Sequence, residues 1–339
     1  MTAYQEHPNL ENICRQIDRL TTVEMRISDY SRGVIAKLHE AAVEAQGGLP
    51  LSLLAARHIM ANAKEGRYFF VVTGAGNPRF LPAGETDGPP GAVALALAIH
   101  AATGAVPILL TDEPFVANVE ATALAAGLGL RDISAIAEIP YSTAVLPLVP
   151  GDAAEATCSG YLDRFDPCLM ISIEKIGPAA NGVAHSASGK PVGDTHCRAE
   201  PLFEEGTRRG VATLGIGDNG NEIGYGKIVP AIHKHKPSGE TLATRVETDV
   251  LVAANTSNWG GYGIIAAMAA LMQKPELAHT AKAERRILEA NVAFGAADGS
   301  TGRHIMAVDG MDEEVQYAVV TMLQHIVRNG LISGFKRRF

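Results

Sequence analysis

The feature that most constrains this chain is a rhythm beginning at Arg67, in which short apolar, β-branched runs alternate with helical stretches. The runs are Tyr68–Thr73, Val106–Thr111, Ala144–Val149, Cys168–Ile173, Val211–Ile216 and Asp249–Ala254. Between them lie segments rich in Ala, Leu and Ile, such as Ala92–Ala102 and Pro114–Ala126. Continuous rather than alternating hydrophobicity marks strands buried on both faces. Strand–helix alternation of this kind predicts an α/β fold, a doubly wound, mostly parallel sheet flanked by helices. Further helices close the chain, Pro275–Ala293 and Asp312–Asn329 being the clearest.

The stretch ahead of the rhythm reads differently. Ile13, Ile17 and Leu20, then Val34, Ile35, Leu38 and Ala42, recur at three- and four-residue spacing, the signature of helices. Pro50 can open a third helix through Leu53, Leu54 and Ile59. Residues 1–66 are therefore expected to be a helical extension that covers the main domain and carries no obvious chemistry. Residues 67–339 are expected to form one α/β catalytic unit, since no repeat and no linker rich in Pro, Gly and Ser divides them.

Charge and cysteine usage exclude several functions. The net charge is −8, and the basic runs Lys234-His235-Lys236 and Lys336-Arg337-Arg338 are short. They read as a solvated turn and a solvated tail, and no broad positive stripe suggests nucleic acid. No apolar run reaches membrane-spanning length, and no apolar signal core precedes the early acids Glu6, Glu11 and Asp18. A cytoplasmic protein with no membrane partner is the expectation. Cys14, Cys158, Cys168 and Cys197 lack any C-x-x-C pairing and fit neither a zinc site nor a disulfide framework.

Chemistry is expected where the strands end, because ligand sites in an open parallel sheet form along the edge that those ends share. Five of the six strands run directly into polar or Gly-rich segments. Thr73-Gly74-Ala75-Gly76-Asn77-Pro78-Arg79 reads equally as a tight turn or as an amide cradle for an anion. It lacks the Gly-Lys-Ser/Thr of a nucleotide loop. In Gly84-Glu85-Thr86-Asp87-Gly88-Pro89-Pro90, Asp87 could cap the following helix, or Glu85 and Asp87 could bind a metal or an ammonium.

Gly215-Ile216-Gly217-Asp218-Asn219-Gly220 has a dinucleotide-type spacing, yet Gly224, Gly226 and Pro230 spoil the helix that must follow. Asp218 would also meet a pyrophosphate with a carboxylate, so no nucleotide cofactor is expected. Asp218, Asn221 and Glu222 instead look like oxygen ligands for a hard divalent ion or a substrate ammonium. Glu174-Lys175 is either an ion pair or, in a cleft, a source of a general base. His185 is a second proton carrier, with a solvated loop histidine as the plainer reading. Ser257 and Asn258 can hydrogen-bond a carboxylate or amide. Trp259, the sole tryptophan, packs by default.

These segments carry a family resemblance. Phe69–Gly76, Gly84-Glu85-Thr86-Asp87-Gly88-Pro89-Pro90-Gly91, Leu110–Glu113, Ile173–Gly182, Ile216–Lys227, Ser257–Gly263, Asp298–Gly302 and Val308–Gly310 resemble the D-glutamate cyclase family over roughly Gly48 to Asn329. The family motif usually has Gly where Asn219 stands and Met where Tyr225 stands. The larger Tyr225 bears on pocket size.

The resemblance implies a hydro-lyase that closes D-glutamate to 5-oxo-D-proline and water. On that reading Lys175 or Glu174 moves the proton, with Asp218 beside them, and Glu85, Asp87 and Glu222 hold a Mn²⁺ or Mg²⁺ ion or the ammonium. Thr73, Gly74, Gly76, Asn77, Asn181, Asn221, Ser257, Asn258 and Trp259 contact the substrate. The partner is a small acidic amino acid, and assembly into a homo-oligomer is compatible with the sequence. The rival readings are a metal-dependent hydrolase or lyase acting on another small carboxylate, and a non-catalytic amino-acid sensor.

Overall fold

The computed structural model describes residues 6–26, 32–193 and 195–334; the terminal basic run at 336–338 lies outside them. Three helices open the chain, α1 (Leu10–Thr21), α2 (Val34–Ala45) and α3 (Leu51–Asn62). The alternating part begins with β1 (Tyr68–Thr73), α4 (Pro89–Thr103), β2 (Val106–Asp112) and α5 (Val116–Ala126). Then come β3 (Gly129–Leu130), β4 (Ser142–Leu148), α6 (Ala153–Phe165), β5 (Leu169–Ile173), α7 (Glu200–Arg208) and β6 (Ala212–Gly217). Next are α8 (Val229–His235), α9 (Gly239–Leu242), β7 (Val250–Ala253) and α10 (Ser257–Leu271). The chain finishes through α11 (Ala281–Ala293), a small antiparallel ribbon of β8 (Ala307–Val308) and β9 (Met311–Asp312), and α12 (Glu313–Gly330).

The main sheet has seven strands in the order β3-β4-β2-β1-β5-β6-β7, and every adjacent pair is parallel. The expected doubly wound α/β fold is what forms. Winding runs outward in both directions from β1 and β5, so the topological switch lies between those two strands. Alternate side chains of β1 feed two cores. Phe69 and Val71 pack into the larger core beneath α1, α3, α4, α10 and α12, while Phe70 and Val72 pack beneath α6 and α7. All four are fully buried, each contributing on the order of 1.5–3 kcal/mol.

Two departures from the sequence reading have clear causes. Ser257–Gly261 reads as a polar turn but forms the first turns of α10, in which all fifteen residues are buried. Small residues make that possible. A Cβ on Gly260 would lie 2.6 Å from Ile216 Cγ2, and one on Gly91 of α4 would lie 2.8 Å from Asn258 Cα. The stretch Pro275–Ala293 is also broken. A short 3₁₀ turn, Pro275–Leu277, precedes α11, whose start is fixed by Thr280 accepting the Ala283 amide at 3.1 Å.

The opening helices cover the open edge of β7. The Gln46 side chain imitates a neighbouring strand, donating to Leu251 O and accepting from Leu251 N, both at 2.9 Å. A sheet edge paired in this way no longer invites another strand.

Candidate functional site

At the switch point the N-termini of α4 and α10 face each other and cap one another. Asp87, just ahead of α4, accepts the Ser257 and Asn258 amides of α10 on its two carboxylate oxygens, each at 2.8 Å. Asn258 returns the contact: its Oδ1 accepts the amides of Gly88 at 3.0 Å and Gly91 at 2.8 Å, and its Nδ2 donates to Thr86 O at 2.9 Å. Helix N-termini leave unpaired amides and carry partial positive charge, so a carboxylate there satisfies both. Asp87 therefore caps the partner helix, and the amide of Asn258 is fully engaged by backbone.

A cavity of about 530 Å³ opens at this point. Its walls come from the segments after β1 (Ala75, Gly76, Asn77), β5 (Glu174, Ile176) and β6 (Asn219, Asn221), closed by Glu85 and Asp309. Carboxylate oxygens of Asp87, Glu174 and Asp218 lie within 4.8 Å of one another. Burial, reinforced by neighbouring carboxylates, holds Glu85, Asp87 and Glu174 well above the usual carboxylate range. Burial also pushes Asp218 and Asp309 up to about 7, against the pull of the Arg26 guanidinium. The hydroxyl of Ser257 donates to Glu174 Oε2. Glu174 and Asp309 both have left-handed backbones, with φ of 54° and 52°. Such strain in non-glycine residues collects at functional sites.

The structure parts the two residues of the Glu174-Lys175 pair. Glu174 lines the cavity, whereas Lys175 is fully buried and ion-paired with Asp112 at the end of β2. Glu222 folds back onto its own loop, accepting the Asn219 amide at 3.0 Å and the Gly220 amide at 2.8 Å. Asn221 donates to His185 O at 2.8 Å, and its buried Oδ1, on the cavity wall, has no partner. Asn77 caps its own turn through the Arg79 amide at 2.9 Å.

Gly74 and Gly76 pack on the Phe115 ring, and Thr73 is buried behind them. Asn181 is exposed and accepts the Val183 amide at 2.9 Å, away from the cavity wall. Trp259 sits in the core, its indole N–H donating to Gln316 Oε1 at 2.7 Å. His185 is buried.

Three residues to which sequence reasoning gave no role belong to this site. Arg26 donates to Asp218 Oδ2 at 2.5 Å from a position 192 residues away in sequence, a separation that no local pattern reveals. Lys236, read as part of a solvated turn, is buried with its ammonium 2.5 Å from Asn219 Oδ1, and burial pushes its pKa down to about 8. Asp298 accepts the Thr301 and Gly310 amides at 2.9 and 2.7 Å, pinning the turn that presents Asp309. The Asp298 and Asp309 motifs were visible in the sequence, but their role was not.

Comparison with known proteins accords with this arrangement. Residues 38–327 match the family model for "D-glutamate cyclase-like, C-terminal". The chain belongs to the D-glutamate cyclase-like family. It is 29% identical over 259 residues to the mitochondrial D-glutamate cyclase of Homo sapiens, covering 75% of this chain and 39% of that protein's length. Among solved structures, a mutant of O-ureido-L-serine synthase with O-ureido-L-serine bound covers 91% of this chain and 85% of its own. At 12% identity and a TM-score of 0.18 it carries no argument. Among the described residues, no helix is long and apolar enough to cross a membrane.

Proposed function

We propose that this chain closes D-glutamate into 5-oxo-D-proline with release of water, using the cavity between β1 and β5. The observation that carries this reading is the crowding of Glu85, Asp87, Glu174 and Asp218 around one buried, family-matched pocket. In the reaction the α-amine attacks the γ-carboxyl carbon. The nitrogen must shed two protons on its way from ammonium to lactam, and the departing oxygen must gain two to leave as water. Glu174, which accepts the Ser257 hydroxyl and lines the cavity, takes one proton from the nitrogen. Glu85, on the cavity wall, delivers one proton to the leaving oxygen. The roles then reverse, with Glu85 taking the second nitrogen proton and Glu174 giving its proton to the oxygen, so that water leaves and both carboxyls are restored. The cavity holds the substrate folded, which supplies much of the rate gain for a five-membered closure.

A site this acidic repels a dicarboxylate unless positive charge enters with it. The trio Asp87, Glu174 and Asp218 offers hard oxygen ligands at a spacing that fits Mg²⁺ or Mn²⁺. Such an ion would polarise the γ-carboxyl. Incubation with D-glutamate, with and without chelator, tests both parts. The expected result is 5-oxoproline that forms with Mg²⁺ or Mn²⁺ and stops with chelator. Turnover that ignores chelator removes the ion from the scheme, and no turnover of D-glutamate removes the reaction.

A further inference from the structure

Arg26 stands outside the family-matched residues 38–327, on the segment that follows α1, yet its guanidinium forms part of the cavity wall. It is the one Lys or Arg among the described residues that line the cavity. One face of its fork is committed: NH1 donates to Asp218 Oδ2 and lies 3.5 Å from Asp309, while NH2 donates to Asp218 O at 3.0 Å. The other donor, Nε, is buried with no partner. A buried guanidinium N–H without an acceptor is costly, and an incoming carboxylate oxygen would satisfy it.

Charge through the reaction decides which carboxylate. The γ-carboxyl loses its charge and an oxygen on ring closure, whereas the α-carboxylate keeps both. A guanidinium is always charged and suits the group that never changes. On the cavity wall the acceptor Asn221 Oδ1 is left for a substrate N–H.

We infer that Arg26, reaching in from beyond the family-matched region, is the receptor for the α-carboxylate of the substrate. This rests on the proposed cyclase reading. The role is one of substrate binding, so it falls on affinity and KM before kcat.

The experiment is titration calorimetry on wild type, Arg26→Gln and Arg26→Lys, with turnover followed by NMR on the same preparations. The ligands are D-glutamate, D-2-aminobutyrate, which keeps the α-carboxylate, and 4-aminobutyrate, which lacks it. A charge-assisted hydrogen bond implies that Arg26→Gln weakens D-glutamate and D-2-aminobutyrate by about 10- to 100-fold. Binding of 4-aminobutyrate should be unchanged. Arg26→Lys keeps the charge against Asp218 and Asp309 but loses the Nε–H, and should show the same ligand pattern. An equal loss for all three ligands, or an unchanged affinity for D-glutamate, overturns the assignment and leaves Arg26 as a counter-ion for Asp218. Wild type that binds D-glutamate without converting it refutes the cyclase reading alone, because the Arg26 comparison is still read from affinity. Wild type that does not bind D-glutamate overturns both.

Discussion

Glu174 and Lys175 are adjacent at the end of one strand, both buried, and embedded in opposite kinds of electrostatics. On the Lys175 side, charge is matched. Its ammonium pairs with Asp112, whose second oxygen accepts the Cys197 amide at 3.3 Å. On the Glu174 side, charge is in surplus, with Glu85, Asp87, Asp218 and Asp309 around it and Arg26 as the cation on the cavity wall. A matched buried pair holds the fold together once formed, and breaking it is costly. A surplus of buried carboxylates does the reverse, since it opposes folding, and such clusters concentrate at functional sites. On the proposed cyclase reading, that difference separates a structural residue from a reactive one where the sequence offers no distinction.

The largest expected effect that would break this comparison is on turnover. Glu174→Gln should lower kcat for D-glutamate by about 10²- to 10⁴-fold, with the unfolding midpoint unchanged or raised because one buried charge is gone. Unchanged kcat would place Glu174 outside the chemistry. Next in size, Lys175→Met strands Asp112 without its partner and should cost about 3–5 kcal/mol in urea unfolding. The double variant Lys175→Met/Asp112→Leu should recover most of it. If Lys175→Met unfolds like wild type but is inactive, the two residues have exchanged roles. Smaller again, Asn258→Ala leaves the Gly88 and Gly91 amides uncapped and should cost about 1–3 kcal/mol in the same assay.

The pH dependence of stability should also run in opposite directions on the two sides. Asp218 and Asp309 are pushed up to about 7 in the folded protein, from an ordinary value of 3.8. Between about pH 4 and 7 the folded state therefore holds more protons than the unfolded one, and their contribution falls as pH rises through that window. His196 lies on the Lys175 side. The ring is half-buried with Nε2 sealed from solvent, and burial and the Lys175 charge push it down to about 3 from 6.5. The unfolded state gains a proton first as pH falls below 6.5, so the contribution of His196 is complete above that pH and is lost toward 3. In unfolding midpoints measured from pH 4 to 8, Asp218→Asn should flatten the loss above pH 5 and His196→Gln the loss below pH 6. Parallel slopes in the two variants would erase the contrast.

The sequence made the sheet legible because strands buried on both faces are continuously apolar, and Phe69–Val72 carries that signal with no competing pattern. It hid α10 because Gly260 and Gly261 look like a turn until the helix that approaches them is known. Which loops converge follows from the strand ends for Glu174 and Asp218, and Glu85 and Asp87 stand out through the Pro-rich loop ahead of α4. Which carboxylate would face which neighbour did not follow. Glu222 found its own backbone amides, and Asp87 found another helix. Arg26 was illegible for a plainer reason: a single cation between two helices has no periodicity or motif, and only the tertiary fold brings it to Asp218.

The most direct test of the central claim is proton NMR of D-glutamate incubated with wild type and with Glu174→Gln, both checked for folding. Steady formation of 5-oxoproline by wild type and its loss in the variant is the predicted result. An unchanged D-glutamate spectrum with wild type, or equal formation by both proteins, would contradict a cyclising site at the end of β5.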